Sequence, residues 1–321
     1  MSQSEVILEQ LHEDGLSAIQ PLFARVFGHE LSLPMLHWKY AGSRGQSWVA
    51  RLAEEPDPLV HCGVCFRDVL FQGRPVRAGQ LVDLMAAPKG FGLSRKASPF
   101  ALLLKHILDQ SPEVLGQDGI VFGFPSGRSM RLAEHCGVAT EVERWLELQL
   151  LPERTLGAPR LREWQGSGVD ILAARTSWSR MSASLEDAAL GVRDLAFLNR
   201  RYLQHPAHGY RLFVAESAWL RRPIGLVVAR IHGRVFELLD LLAAWEDMPQ
   251  LLGAVRNSLT AQGGDSAILS LTSRFARQLA PFVSEVRETE FRIMGNPYSP
   301  EATLQALRGR WWLTGGDTDY R

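Results

Sequence analysis

Cysteine is scarce in this sequence: Cys62, Cys65 and Cys136 are its whole complement in 321 residues. Three is too few, and odd in number, for a disulfide framework, so a reducing, cytoplasmic setting is expected. Net charge is missing as well, because 35 basic residues balance 35 acidic ones. Nothing draws the whole chain toward nucleic acid or anionic lipid, which excludes a dedicated polyanion binder. No apolar run approaches the ~18 residues of a membrane span. The best candidate, Phe100 to Leu108, is cut by Lys105 and His106. The first ten residues carry Glu5 and Glu9 and lack the basic, apolar, small-residue order of a secretory signal. What remains is an ordinary globular composition, 46% hydrophobic and 22% charged, long enough for two domains of ~100–200 residues.

A search for self-similarity finds two matches. Leu36-His37-Trp38-Lys39-Tyr40 resembles Leu198-Asn199-Arg200-Arg201-Tyr202, 162 positions later. Leu81-Val82-Asp83-Leu84-Met85-Ala86-Ala87 resembles Leu238-Leu239-Asp240-Leu241-Leu242-Ala243-Ala244, 157 positions later. Two matches in one order at nearly one offset indicate an internal duplication.

Periodicity gives a similar order of elements in each half. The first half reads as a strand at Val6–Leu11 and a helix within Gly15–Phe27. Strands follow around Trp48–Ala53, Leu59–Phe66 and Val76–Ala86, then a helix over Ala97–Leu108 and a buried-type strand over Gly119–Phe124. A serine-opened helix over Ser126–Cys136 and a strand through Trp145–Leu150 close the half. The second half repeats strands around 212–215, 224–231 and 235–242, a helix over 248–261, a strand at 267–271 and a helix over 273–279. Pro152 to Gly168, rich in Gly, Pro and Arg, reads as a linker.

This order, with Trp38-Lys39-Tyr40, Gly63, Val82-Asp83-Leu84-Met85 before Pro88, and Gly123-Phe124-Pro125 before Ser129, resembles the GNAT superfamily of acyl-CoA-dependent N-acyltransferases. Leu198 to Tyr202, His205-Pro206, Tyr210 and the closing Trp312 to Asp319 extend the resemblance to its tandem members. The resemblance implies an α+β fold of two tandem GNAT-like domains, each a mixed, mostly antiparallel sheet flanked by helices. They would span residues 1–152 and 169–321, with a linker at 153–168. It also implies an acyl-CoA donor, acetyl-CoA foremost, and a primary amine acceptor. Tandem relatives met in envelope-glycan gene sets make an amino sugar a candidate.

In such a fold the fourth and fifth strands diverge, and the free backbone groups pair with the pantetheine arm as with an added strand. The next loop and helix N-terminus hold the pyrophosphate. Carried onto this sequence, Leu84, Met85 and Ala86 would meet the pantetheine and Arg95, Lys96, Ala97 and Ser98 the pyrophosphate, with Ser126 and Ser129 at the following helix. The loop departs from the Arg-Gly-x-Gly of relatives: Lys96 and Ser98 stand at the glycine positions, and Pro99 removes an N–H donor. Either side-chain charge replaces the lost donors, or cofactor binding has decayed. The second half places Glu246-Asp247 where a pyrophosphate needs cations, so it is expected to be non-catalytic.

Asp83, an acid on the fourth strand where the acyl group would lie, is the candidate general base. The rival role is structural, as for its repeat Asp240. The tyrosine that serves relatives as general acid aligns near Ala133, leaving that part to His135, Cys136 or water. Cys62 and Cys65, three apart in a strand, point to opposite faces, and no metal is expected. Arg200-Arg201 and Arg221-Arg222 read as solvated faces, with contact to an acidic substrate in a cleft between the domains as the alternative for Arg200 and Arg201. Two functions remain open: an N-acyltransferase of a small amine, with no nucleic-acid partner and no membrane insertion, or an inactive tandem protein serving as a binding module.

Overall fold

The computed structural model describes residues 5–87, 98–154, 156–157 and 159–318. In chain order the first half contains β1 (Val6–Leu11), α1 (Gln20–Phe27), α2 (Leu33–Tyr40), β2 (Gly45–Leu52), β3 (Val60–Phe71) and β4 (Arg74–Ala86). It continues with α3 (Pro99–Asp109), α4 (Ser111–Leu115), β5 (Ile120–Gly123), α5 (Gly127–His135) and β6 (Thr140–Leu150). The second half opens with β7 (Arg160–Glu163), α6 (Gly168–Ser184), β8 (Ala189–Gly191), α7 (Leu195–Leu198), β9 (Arg211–Glu216), β10 (Pro223–His232) and β11 (Val235–Ala243). It ends with α8 (Met248–Gln262), β12 (Ser266–Thr272), α9 (Ser273–Leu279), β13 (Glu285–Gly295), α10 (Glu301–Leu307) and β14 (Trp311–Trp312).

Local chemistry explains most boundaries. The β3–β4 turn places Gln72 and Gly73 at φ +52° and +72°, the pair of left-handed residues that a tight hairpin requires. Ser98 caps α3, its Oγ accepting from Ala101 N at 3.2 Å, and Pro99 occupies the first turn, where a missing N–H costs nothing. Ser167 and Asp170 form a reciprocal cap at the start of α6. The sequence reading missed α6 because its buried face is made of Ala173, Ala174, Ser177 and Met181, too small and polar to mark a 3.6-residue stripe. It missed β13 because most of that strand's charged outer part is exposed.

The chain divides into two compact units. One comprises Met1–Asp68, Val76–Val142 and Phe291–Ala306; the other comprises Val69–Pro75, Glu143–Glu290 and Leu307–Arg321. Residue 152, the expected boundary, falls within the second unit. Most of β6 belongs to the second unit, where it runs antiparallel to β12 with Leu148 opposite Leu269. The end of β13 belongs to the first, where Met294 lies opposite Gly123 and Gly295 opposite Phe122. Part of the expected linker is strand β7, paired with β9.

The first unit's sheet has the order β1-β2-β3-β4-β5-β13. Its β1–β2, β2–β3 and β5–β13 pairs are antiparallel and β4–β5 is parallel. The second unit's sheet has the order β6-β12-β11-β10-β9-β7, with β11–β12 parallel. Each unit is a mixed, mostly antiparallel sheet flanked by helices, an α+β architecture with its own buried core. No helix among the described residues is long and apolar enough to cross a membrane.

The segment after β13 is fastened to the first unit by Asn296. Its Nδ2 donates to Leu108 O at 3.3 Å and Ser111 Oγ at 3.2 Å, and its Oδ1 accepts from Tyr298 N at 2.9 Å. The residue is 4% exposed, so truncation strands several buried partners at once. Asn296→Ala is expected to lower the free energy of unfolding by about 1–3 kcal/mol in urea titration.

Candidate active site

In the first unit β4 and β5 pair for four residues, from Ala78 opposite Ile120 to Leu81 opposite Gly123. Beyond that the strands keep different company. β4 stays with its β3 side: His61 Nδ1 donates to the Asp83 carbonyl at 2.8 Å, and Ala87 N donates to Leu59 O at 2.7 Å. The chain leaving β5 follows β13, with Arg292 N donating to Pro125 O at 2.9 Å and Ser126 bridging Phe291. Among the described residues, no residue of β5 pairs with β4 between Val82 and Ala86.

Asp83 stands just past the parting, with φ +47°. A left-handed backbone is unfavourable for a residue with a Cβ, so its surroundings must hold it there. They do so through both carboxylate oxygens. Lys39 Nζ lies 2.7 Å from Oδ1, and the Tyr40 hydroxyl donates to Oδ2 at 2.5 Å. Lys39 and Tyr40 form the last turn of α2, and all three residues are buried. His61, also buried, carries its proton on Nδ1 because it faces a carbonyl there, which leaves Nε2 to accept from Ser47 Oγ at 3.0 Å. Gly63 makes room for the Tyr40 ring: a Cβ at that position would collide with the ring and its hydroxyl.

Burial alone would raise the Asp83 pKa, but the Lys39 ammonium and the bond from Tyr40 outweigh it and hold the carboxyl below its ordinary value. Burial lowers the His61 pKa, keeping the imidazole neutral. Burial pushes the Cys62 thiol far up, so it is an inert core sulfur. A general base needs a lone pair directed at its substrate. Both Asp83 oxygens are engaged inside the protein, by Lys39 and Tyr40. Sequence reasoning missed Lys39 and His61 in this assembly. Lys39 carried a usable signal: the chain has only four lysines, and this one adjoins a tyrosine in an apolar helix.

The other expected site residues fall in three places. Leu84 and Ala86 are half-buried beyond the parting, while Met85 between them points into the core, as strand alternation dictates. Ser98 is buried at the start of α3 as its N-cap. Ser126 caps α5, accepting from Ser129 N at 3.3 Å, and Ser129 is exposed. Arg95, Lys96 and Ala97 lie outside the described residues. His135 is exposed in the last turn of α5, and Ala133 is buried.

The second unit repeats this geometry. β11 and β12 also pair for four residues, from Val235 opposite Ser266 to Leu238 opposite Leu269. β11 then continues along β10 and β12 along β6. Asp240 stands two residues past the last pair, as Asp83 does, and accepts from Tyr202 OH at 2.9 Å and Arg193 Nε at 3.0 Å. Here, however, the gap is filled. Residues 311–318 are all buried. Thr272 N donates to Leu313 O at 3.3 Å, Leu271 bridges Thr314, and Thr314 Oγ1 donates to Asp240 Oδ1 at 3.2 Å. Gly316 packs so closely against Tyr202 OH and Leu239 O that no Cβ fits. The acidic pair expected to repel a cofactor is not isolated: Arg180 lies 3.7 Å from Glu246 and 2.6 Å from Asp247. What fills this gap is the chain itself, and charge repulsion is a lesser matter.

The pairing of Asp83 with Lys39 sets a pH test. A depressed folded-state pKa means that the stabilisation is present at neutral pH and is lost as pH falls below the ordinary carboxylate range, about 4. Lys39→Met should cost about 3–5 kcal/mol at pH 7 by leaving a buried charge uncompensated. The difference from wild type should narrow below about pH 4 as the carboxyl takes up a proton. Asp83→Asn should destabilise to a similar degree; reduced turnover at unchanged stability would restore the base role. Urea unfolding between pH 3 and 8 measures both.

No protein-family model matches the sequence, and neither does any curated protein. Solved structures do match. An Enterococcus faecalis protein described as a probable N-acyltransferase aligns over 91% of this chain and 72% of its own, at TM-score 0.67 and 11% identity. A GCN5-related N-acetyltransferase from Kribbella flavida covers 91% and 71% at TM-score 0.62 and 15% identity. Saccharomyces cerevisiae N-myristoyltransferase, solved with bound myristoyl-CoA, covers 92% and 80% at TM-score 0.56 and 9% identity. With the strands parted at Leu81 and at Leu238, this likeness identifies the architecture: the chain has the fold of the GNAT superfamily of N-acyltransferases.

Proposed function

We propose that the first unit binds an acyl-CoA in the gap between β4 and β5 and transfers its acyl group to a primary amine. The observation that carries this reading is the parting of the strands at Leu81, beyond which β4 runs on to Ala86 without a partner in β5. An extended, amide-bearing arm can add to such an edge as a strand does, using main-chain groups of Leu84 to Ala86. We assign the pyrophosphate to the start of α3, at Ser98, together with Arg95, Lys96 and Ala97, and give Ser126 and Ser129 at the start of α5 a supporting part. Helix N-termini offer unsatisfied N–H groups and partial positive charge to an anion.

The donor supplies an activated thioester carbonyl. The chain contributes position. Asp83 fixes the left-handed turn of β4 through Lys39, Tyr40 and His61, and so sets the direction of the N–H groups that follow. N–H groups aimed at a developing oxyanion are the usual source of stabilisation in acyl transfer. We propose acetyl-CoA as donor and the amine of an amino sugar as acceptor, with no metal. The second unit, whose gap holds residues 311–318, is proposed to be non-catalytic. Support comes from the structural neighbours, which include a GCN5-related N-acetyltransferase and an N-myristoyltransferase solved with myristoyl-CoA.

Isothermal titration with acetyl-CoA is expected to give one site per chain, and saturating donor should raise the melting temperature by mass action. Arg95→Glu should weaken binding at least tenfold with the melting temperature of the free protein unchanged. Two sites per chain would contradict the filled gap. No binding at millimolar acetyl-CoA or myristoyl-CoA would overturn the enzyme reading in favour of a binding module.

A further inference from the structure

The turn between β9 and β10 does not behave like a passive surface loop. It exposes Trp219, at 90% of its full accessibility, and Leu220, at 68%, followed by the exposed Arg221 and Arg222. Yet the turn is well tied. Ser217 N donates to Arg222 O at 2.9 Å, Arg221 N to Ser217 O at 3.2 Å and Arg222 N to Ser217 Oγ at 3.1 Å. The two large apolar side chains are therefore displayed by a fixed turn. Arg221 has φ +53°, a position that glycine would fill without strain. A long cation kept there at a conformational cost indicates that its side chain is used.

The duplication supplies a comparison. The corresponding turn of the first half, between β2 and β3, reads Ala53-Glu54-Glu55-Pro56-Asp57-Pro58-Leu59, acidic and with its one large apolar residue, Leu59, buried. The fold thus does not impose Trp-Leu-Arg-Arg at this place. Between Ser217 and Pro223 there is no acidic residue. Glu216 beneath the turn is itself engaged, with Arg162 Nε at 2.7 Å and Arg221 Nη1 at 3.7 Å.

We propose that this tip docks the protein on the surface of an anionic phospholipid bilayer. Trp219 and Leu220 would enter the headgroup boundary, and Arg221 and Arg222 would face the lipid phosphates. Tryptophan favours the interface because its ring is apolar and its N–H polar, and arginine beside it gains from a negative surface. The area argues against a protein partner. A tryptophan buries roughly 150–250 Å² and a leucine less, together under about half of the roughly 800 Å² that one side of a standard protein interface needs. A bilayer requires no matching shape, only an apolar wedge and cations. This is peripheral docking and involves no spanning segment.

Flotation of the intact protein with two kinds of vesicle tests the proposal: phosphatidylcholine alone, and equal parts phosphatidylcholine and phosphatidylglycerol. Wild type should float with the anionic vesicles and not with the neutral ones, and high salt should release it. Trp219→Ser with Leu220→Ser should reduce partitioning at least tenfold. Arg221→Glu with Arg222→Glu should abolish it. Arg221→Gly should reduce it about fivefold, the worth of one surface cation, without lowering the melting temperature, since glycine suits the backbone there. Because these side chains are exposed, all variants should remain folded. Equal flotation of wild type and the serine variant, or no flotation with anionic vesicles, overturns the proposal. So does a dimer in light scattering that the serine variant dissolves, which would make the tip a self-association contact.

Discussion

A carboxylate taken out of water must be paired, and at Asp83 that requirement ties together three parts of the first unit. The last turn of α2 brings Lys39 and Tyr40, β3 brings His61 and the space left by Gly63, and β4 brings the left-handed residue itself. None of these features is stable alone. The strained φ persists because the carboxylate is held, the carboxylate is tolerated because the ammonium lies beside it, and the tyrosine fits because β3 has no side chain where its hydroxyl lies. The result is a strand that leaves its parallel neighbour at a fixed residue and continues, among the described residues, without a partner in β5.

The second unit solves the same problem with different residues. Arg193 takes the place of the ammonium, and Tyr202 keeps the place of Tyr40 at Asp240. Burial there outweighs the cation and raises the Asp240 pKa, whereas Asp83 is held low. The larger difference lies in what fills the gap. Trp312 packs among Trp245 and Phe275, Leu313 and Thr314 pair with Thr272 and Leu271 of β12, and Thr314 reaches Asp240 of β11, so the chain itself lies where an extended ligand would run. Among the described residues, the same device lacks a β5 partner beyond Leu81 in one copy and is lined by residues 311–318 in the other.

Much of this was legible beforehand. The repeat of Asp83 as Asp240 and of Tyr40 as Tyr202 was visible as strings, and most strands and helices fall within a few residues of the periodicity reading. The role of those residues was not legible. A carboxylate on an apolar strand looks the same on paper whether it takes a proton from substrate or is locked by a lysine 44 positions earlier. Glu246 and Asp247 looked repulsive because Arg180, their partner, lies on a helix whose small-residue face left no periodic trace. His61 escaped notice because a lone histidine beside two cysteines carries no spacing signal.

The sequence by itself determined the fold class and the place on each strand where an aspartate recurs, because local propensity and side-chain alternation are written in neighbouring residues. Tertiary structure alone decided which sheet receives β6 and β13, since strand pairing joins residues far apart in the chain and composition does not encode a partner. It also decided that Asp83 is held and that residues 311–318 close the second gap. Both depend on burial, which turns an ordinary hydrogen bond between distant residues into an obligation.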